Sequence, residues 1–240
     1  MMRIGLIGAM AEEVNELISE MRSRTEESVG RFVFYCGEIS GAECVVVQCG
    51  IGKVAAAVCT QPLILKFSPD AVVNIGVAGG IGEEIRIGDL VLSEAVVEHD
   101  MNTTALGDPL GFLSGPDLVY IKSDCRLLSV FCETAEKLGN RVHRGVIASG
   151  DLFVSNASQA KKIAERFSAK ACEMEGASVG HTCFLMNVPF LVLRSVSDNA
   201  DDSAKIDFPQ FAALSAKKYG ALIRAALPVL QEEFQGEGTE

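Results

Sequence analysis

Four strings that combine carboxylates, hydroxyls or glycines each end an apolar, strand-like run, and they hold the residues best suited to chemistry in this chain. Gly8-Ala9-Met10-Ala11-Glu12-Glu13 joins small residues, which let a ligand approach the backbone, to an acidic pair at the start of a helical pattern. Asn74-Ile75-Gly76-Val77-Ala78-Gly79-Gly80 is a glycine-dense strand end. Cys172-Glu173-Met174-Glu175-Gly176 sets two carboxylates beside another apolar end, and Arg194-Ser195-Val196-Ser197-Asp198-Asn199 follows the run Phe190 to Leu193. In open α/β sheets ligands collect outside the carboxyl ends of strands. A site built from these strings is rich in carboxylates, which suits proton transfer and the stabilisation of positive charge. Glu13, Glu175 and Asp198 lead the candidates. Each string also has an ordinary structural explanation. Glu12 and Glu13 can complement a helix dipole, the glycines can serve a tight turn, Glu173 and Glu175 can sit at a solvated edge or helix start, and Asp198 can be a turn or cap residue. Strict strand alternation would aim Glu173 and Glu175 at one face and Met174 at the other.

Other chemistries find little support. G-x-G-x-x-G fits neither the glycine-dense run nor Gly5-Leu6-Ile7-Gly8, and Gly52-Lys53 lacks the Ser/Thr and upstream Gly of a P-loop, so no nucleotide cofactor is expected. His99, His143 and His181 are scattered and no C-x-x-C pair exists, which argues against a metal site. Most of the eight cysteines, among them Cys44, Cys49, Cys59 and Cys183, sit in apolar runs and read as reduced core thiols. A net charge of -11 without a Lys/Arg cluster opposes nucleic-acid binding. The apolar stretch from Ala71 to Ile81 is interrupted by Asn and Gly and is too short for a bilayer span. Met1 to Gly8 leads into a strand without signal-peptide features, so a cytoplasmic location is expected.

The elements that must position these residues follow from periodicity. Arg3 to Gly8 predicts a strand, and Ala11 to Met21 a helix with Val14, Leu17, Ile18 and Met21 on one face. Arg31 to Ser40 and Glu43 to Cys49 flank Gly41 as a hairpin, followed by a helix over Val54 to Phe67 and a buried strand over Asp70 to Ile75. Strands at Asp89 to Glu98 and Arg144 to Ser149 bracket a Gly/Pro-rich connection, Thr103 to Pro116, and a helix from Asp124 to Leu138. A connection of that length suggests a function of its own. Asn156 to Phe167 is helical, then Ala171 to Met174 a strand, Gly176 to Met186 a helix, Phe190 to Ser195 a strand, and a final amphipathic helix is capped by Asp207. Strands alternating with helices predict a three-layer α/β/α fold with a twisted mixed, largely parallel central sheet. One domain over residues 1–234 with a tail over 235–240 is expected for a chain that is 48% hydrophobic.

Taken in order, Ile7 to Val14 (IGAMAEEV), Gly50 to Ala57 (GIGKVAAA), Asn74 to Gly80, Ser149 to Phe153 (SGDLF), Glu173 to Glu175 (EME) and Val196 to Asp198 (VSD) resemble the bacterial 5′-methylthioadenosine/S-adenosylhomocysteine nucleosidases of the purine nucleoside phosphorylase superfamily. The resemblance spans nearly the whole chain. It implies a nucleoside phosphorylase-like fold and a hydrolase that needs no cofactor and no metal. Asp198 would be the acid at the leaving adenine, Glu13 the base for water, and Glu175 the acceptor for the ribose hydroxyls. Adenine leaves poorly as an anion, so Asp198 has to be neutral as the bond breaks, while Glu13 and Glu175 are expected ionised. By the same resemblance Phe153 stacks on adenine, the Val154 backbone bonds its edge, Met174 packs on the ribose and Phe208 borders the base pocket. Ile51, Met10, Val77, Ala78, Gly79 and Ser197 complete the substrate contacts, with Glu173 and Arg194 as supports for the water and Glu13. A homodimer is implied, with Thr103 to Pro116 near the partner's site.

Two positions depart from the pattern. Val77 stands where several relatives carry Ser, and Leu106 where an aromatic is common. A related activity on 6-amino-6-deoxyfutalosine remains open, as do two alternatives: a phosphate-dependent nucleoside phosphorylase of the same fold, and a catalytically silent nucleoside-binding or storage protein. An acidic helix start at Glu13 favours neutral water over a phosphate dianion, and retention of all three carboxylates argues against a silent binder.

Overall fold

Apolar runs with a two-residue period become strands, and runs with helical spacing become the helices that cover them. The computed structural model describes residues 2–201 and the backbone of 204–236, with side chains of the last helix described at 211 and 214–234. In chain order the elements are β1 (Arg3–Gly8), α1 (Ala11–Glu20), β2 (Arg22–Val29), β3 (Phe32–Ile39), β4 (Ala42–Gln48), α2 (Lys53–Phe67), β5 (Ala71–Gly80) and β6 (Leu90–Glu98). They continue with β7 (Ile121–Lys122), α3 (Cys125–Lys137), β8 (Val142–Ser149), α4 (Ala157–Phe167), β9 (Ala169–Glu173), α5 (Gly176–Leu185), β10 (Phe190–Asp198) and α6 (Ala204–Gly236).

One sheet runs in the order β10-β6-β8-β9-β5-β1-β4-β3-β2, with β7 on β6 and a further pairing of β10 with β5. Because β5 pairs in parallel with β10 and, through Gly79 and Gly80, antiparallel with β9, one half of the sheet closes on itself. The sheet is mixed: β1 lies parallel between β4 and β5, whereas the β2–β3–β4 arm is antiparallel. Alternation divides the residues of β1, β5 and β10 between two cores. Leu6, Val73 and Leu193 face a core shared with Val14 and Leu17 of α1, Phe131 of α3 and Leu222 of α6. Their neighbours Ile7, Val72 and Val192 face the opposite core, with Leu63 of α2 and Val179 of α5. Among the described residues no helix is long and apolar enough to cross a membrane.

Several boundaries differ from expectation for physical reasons. β2 has no apolar alternation to announce it: seven of its residues are exposed and the eighth is intermediate, so its pairing with β3 is what makes it a strand. The two-residue β7 is likewise a product of its pairing with β6. β5 continues through the glycine-dense string to Gly80, and β10 through Ser197 to Asp198, because these segments pair with each other. β9 stops at Glu173, and Glu175, at φ -131° and ψ -38°, becomes the residue preceding α5. α6 begins at Ala204, which places Asp207 inside its first turn instead of at its cap. Its helical backbone continues through Gly236, into the expected tail, while 237–240 lie outside the described residues.

Candidate active site

The carboxyl ends of β1, β5, β9 and β10 meet at one cavity. Leaving β1 at Gly8, the chain turns through Ala9 and Met10 into α1, and Glu13 folds back over that turn. Its Oε2 accepts the N–H groups of Ala9 at 2.7 Å and Met10 at 2.9 Å, and its Oε1 accepts Val77 N–H from β5 at 3.1 Å. Glu13 is thus a buried bridge between the first helix and the end of β5, and not an exposed complement to the helix dipole. Gly76 makes the bridge feasible, since a Cβ there would fall on the Glu13 carboxylate.

Glu173 and Glu175 have different surroundings despite their spacing. Glu173 turns inward: its carboxylate pairs with Arg194, takes the Ser149 hydroxyl, and accepts the Glu175 and Gly176 N–H groups at 3.0 and 2.8 Å, which satisfies the start of α5. Glu175, just past the end of the strand, accepts Gly52 N–H on Oε1 at 2.8 Å. The alternation expected to set Met174 apart fails because the strand has ended: Met174, Glu173 and Glu175 all line the cavity. Arg194 sits behind Glu173, 1% exposed, and donates also to the side-chain and backbone oxygens of Asn74. Asp198 is 2% exposed at the end of β10. Its Oδ1 accepts Ala200 N–H and its Oδ2 the Ser197 hydroxyl, each at 2.8 Å.

Glu13, Glu175, Asp198, Glu173 and Ser197 share this cavity with Met10, Ile51, Met174, Phe153 and Val154 and with the Val77-Ala78-Gly79 segment at the end of β5. Phe208 lies outside the described side chains. Thr103 to Pro116 supplies nothing to this chain's cavity, and Leu106 within it is 82% exposed. Ala9, Leu152 and Cys172 also line the wall; each lies in a string quoted from the sequence, though none was assigned a contact there. Asn74 and Ser149 open two of those strings, but their holds on Arg194 and Glu173 were not foreseen.

The carboxyl groups are electrostatically unequal. Burial pushes Glu13 above the usual carboxylate range, against the opposing pull of Arg194 and of the Met10, Val77 and Ala9 N–H groups. Burial, then the charge of Glu173, pushes Glu175 up to about 7, with Arg194 and Gly52 N–H opposing. Burial works against the charge of Glu173 too, but Arg194, the Ser149 hydroxyl and Gly176 N–H outweigh it and hold that carboxyl below the usual range. In the free protein burial thus opposes the ionisation that Glu13 and Glu175 are expected to carry as the bond breaks. Such a site takes up hydroxyl donors or positive charge readily, because either stabilises carboxylates that burial has disfavoured. Its apolar residues, with Phe153 43% exposed, suit a flat ring.

Residues 3–228 match the sequence pattern of the Phosphorylase superfamily. A 5′-methylthioadenosine/S-adenosylhomocysteine nucleosidase from Haemophilus influenzae (strain PittEE) is 40% identical over 92% of this chain and 97% of its own. The crystal structure of the enzyme of that name from Neisseria meningitidis, in complex with methylthio-immucillin-A, superimposes with a TM-score of 0.90 at 35% identity, covering 94% of this chain and 98% of that one. A futalosine hydrolase mutant of Helicobacter pylori strain 26695 gives a TM-score of 0.91 at 34% identity, covering 95% and 99%.

Gly76→Ala is expected to drive the Glu13 carboxylate off Val77 N–H and to destabilise the fold by about 1–3 kcal/mol, the usual range for overpacking. A urea melt with a crystal structure of the variant checks both effects; an unmoved Glu13 and an unchanged midpoint would contradict the bridge.

Proposed function

The chain belongs to the 5′-methylthioadenosine/S-adenosylhomocysteine nucleosidase family, within the phosphorylase superfamily, and from this premise we propose the reaction and the residue roles that follow. The protein hydrolyses the N-glycosidic bond of 5′-methylthioadenosine and S-adenosylhomocysteine, releasing adenine and the 5-substituted ribose. We extend the substrate class to 5′-deoxyadenosine, which has the same base and ribose hydroxyls and a smaller 5′ group.

The observation that carries this proposal is the wall of four carboxylates, Glu13, Glu173, Glu175 and Asp198, around an otherwise largely apolar cavity. Asp198 serves as the acid: a proton placed on the purine ring nitrogen N7 lets adenine leave neutral, and Ser197 Oγ and Ala200 N–H hold the donor carboxyl in place. Bond stretching puts positive charge on the ribose. Glu175, whose charge is disfavoured in the free site, gains from that cation and from the ribose hydroxyls that it accepts. Glu13 takes the proton of the attacking water, and burial makes it a stronger base than an ordinary carboxylate. Phe153 offers a ring face to the purine, and Met10, Ile51 and Met174 an apolar lining to the remainder. The same wall disfavours a phosphate dianion, which supports water as the nucleophile over the phosphorylase alternative.

A homodimer is part of this proposal. Ile51, Val54, Val58, Phe184 and Leu185 leave an exposed apolar face along α2 and α5, 45–73% exposed, that a second copy would cover. Thr103 to Pro116 would then lie near the partner's cavity, where the exposed Leu106 suits an apolar 5′ substituent. A cytoplasmic location fits the eight free cysteines, most of them buried.

Adenine release should be measured on methylthioadenosine, S-adenosylhomocysteine, 5′-deoxyadenosine, 6-amino-6-deoxyfutalosine and inosine, with and without phosphate. Release independent of phosphate is expected; ribose-1-phosphate as product would establish the phosphorylase, and binding without turnover the silent binder. Asp198→Asn should lower turnover by about 10²–10⁴-fold while calorimetric binding of methylthioadenosine persists, and Glu13→Gln should act on the same step with a modest change in affinity. A pure affinity loss at Glu13 would contradict its role as base.

The pH dependence has a definite sign. A Glu175 raised to about 7 is protonated below that pH and cannot then accept both ribose hydroxyls. kcat/KM for methylthioadenosine should therefore fall as pH drops through about 7, by about tenfold per unit on the acid limb. A profile flat down to the ordinary carboxylate range would contradict the assignment.

A further inference from the structure

The turn that enters α2 holds two walls of the cavity at once. Gly52 and Lys53 donate consecutive backbone N–H groups to different carboxylates, Gly52 to Glu175 Oε1 and Lys53 to Asp151 Oδ1, both at 2.8 Å. The Lys53 ammonium reaches Asp100 Oδ1 at 2.7 Å and Glu98 Oε2 at 3.2 Å. Asp100 closes the circuit, because its Oδ2 accepts Asp151 N–H at 2.9 Å. Lys53, Asp100 and Asp151 thus form a closed ring of hydrogen bonds. A further bond, from Ser178 Oγ of α5 to the Lys53 carbonyl at 2.7 Å, ties the turn to the helix that begins just after Glu175. Asp151 directly precedes Leu152, Phe153 and Val154, which line the cavity. Gly52 stands at φ 98°, and a Cβ on it would come within 3.0 Å of Asp151 Oδ1, so the turn has no room for a side chain there.

We propose that Lys53 is a positioning residue for the nucleosidase reaction: through Asp100 and Asp151 it holds the Leu152–Val154 wall, and through the Gly52 N–H it holds Glu175, so that one side chain keeps base and ribose contacts in register. The inference rests on the reaction proposed above and assigns Lys53 no contact with substrate. Lys53 is charged throughout the assay range, because Asp100 and Glu98 stabilise its ammonium more than burial opposes it. The groups facing it are Glu98, which also meets His181 Nδ1 at 2.9 Å, and Asp100, beside His99. Those facing Glu175 are Glu173, Glu13, Arg194 and the Gly52 N–H, and this N–H is the contact through which Lys53 acts.

The test uses the full chain and adenine release from methylthioadenosine. Lys53→Met should lower kcat/KM by about 10- to 100-fold, the scale of a misplacement near 1 Å. It should also move the acid limb of the kcat/KM profile to higher pH, because Glu175 loses its hold on Gly52 N–H. Lys53→Arg should restore most of the rate and the original limb. Asp100→Asn should shift the limb in the same direction, and the Lys53→Met/Asp100→Asn pair should be little worse than Lys53→Met alone. Should Lys53→Met fail to fold, Asp100→Asn carries the test. A lowered rate with an unmoved acid limb, or losses that multiply in the double variant, would overturn the inference. Absence of adenine release from the wild-type protein would instead overturn the nucleosidase reading, which separates the two failures.

Discussion

The site depends on the buried pair of Arg194 and Glu173. Arg194 is 1% exposed, and its charge opposes the burial of Glu173, Glu13 and Glu175 together. Taking two charges out of water is expensive, and a buried ion pair is weak grounds for expecting extra stability. Its effect here is on the protonation of its neighbours. Direct contact with the guanidinium settles Glu173 as the ionised member. Burial, and after it that fixed negative charge, raises Glu175, while the same guanidinium, acting from further off, tempers burial at Glu13. Two carboxyl groups of similar chemistry are thereby driven apart by their environments, Glu173 toward fixed charge and Glu175 toward a changeable protonation state.

The fold serves this division by delivering backbone N–H groups where side chains alone would not suffice. Ala9, Met10 and Val77 hold Glu13, Gly52 holds Glu175, and Ala200 holds Asp198. All but Val77 N–H, which comes from within β5, belong to turns beyond the carboxyl ends of strands, where chain direction changes and N–H groups leave the ladder. The closure of β5 onto both β10 and β9 brings the strings at residues 74–80, 172–175 and 194–198 to one place. Asn74 reinforces the junction, giving its amide N–H to Ile7 C=O at 2.9 Å and accepting Arg194.

Much of this was legible in the sequence, because apolar period marks strands and helices that bury one face. β1, α1, the β3–β4 hairpin and α3 to α5 follow their periodicities, and the strand ends with small and acidic residues are where the cavity lies. β2 was illegible because its side chains are exposed on both faces. The opposite fates of Glu173 and Glu175 were illegible because alternation holds only inside a strand, and β9 ends between them. The ring joining Lys53 to Asp100 and Asp151 spans segments far apart in the chain, and no local pattern encodes such a pairing. Glu13 was found by position, but its burial and its hold on Val77 depend on the space at Gly76, a tertiary fact.

Site-resolved ¹³C NMR titration of the glutamate carboxyl groups in the ligand-free protein measures the division of charge most directly. The account predicts that Glu175 titrates near pH 7 while Glu173 stays ionised below the usual carboxylate range. Glu173 and Glu175 titrating together at an ordinary carboxylate pKa would contradict it, because Arg194 would then not distinguish between them.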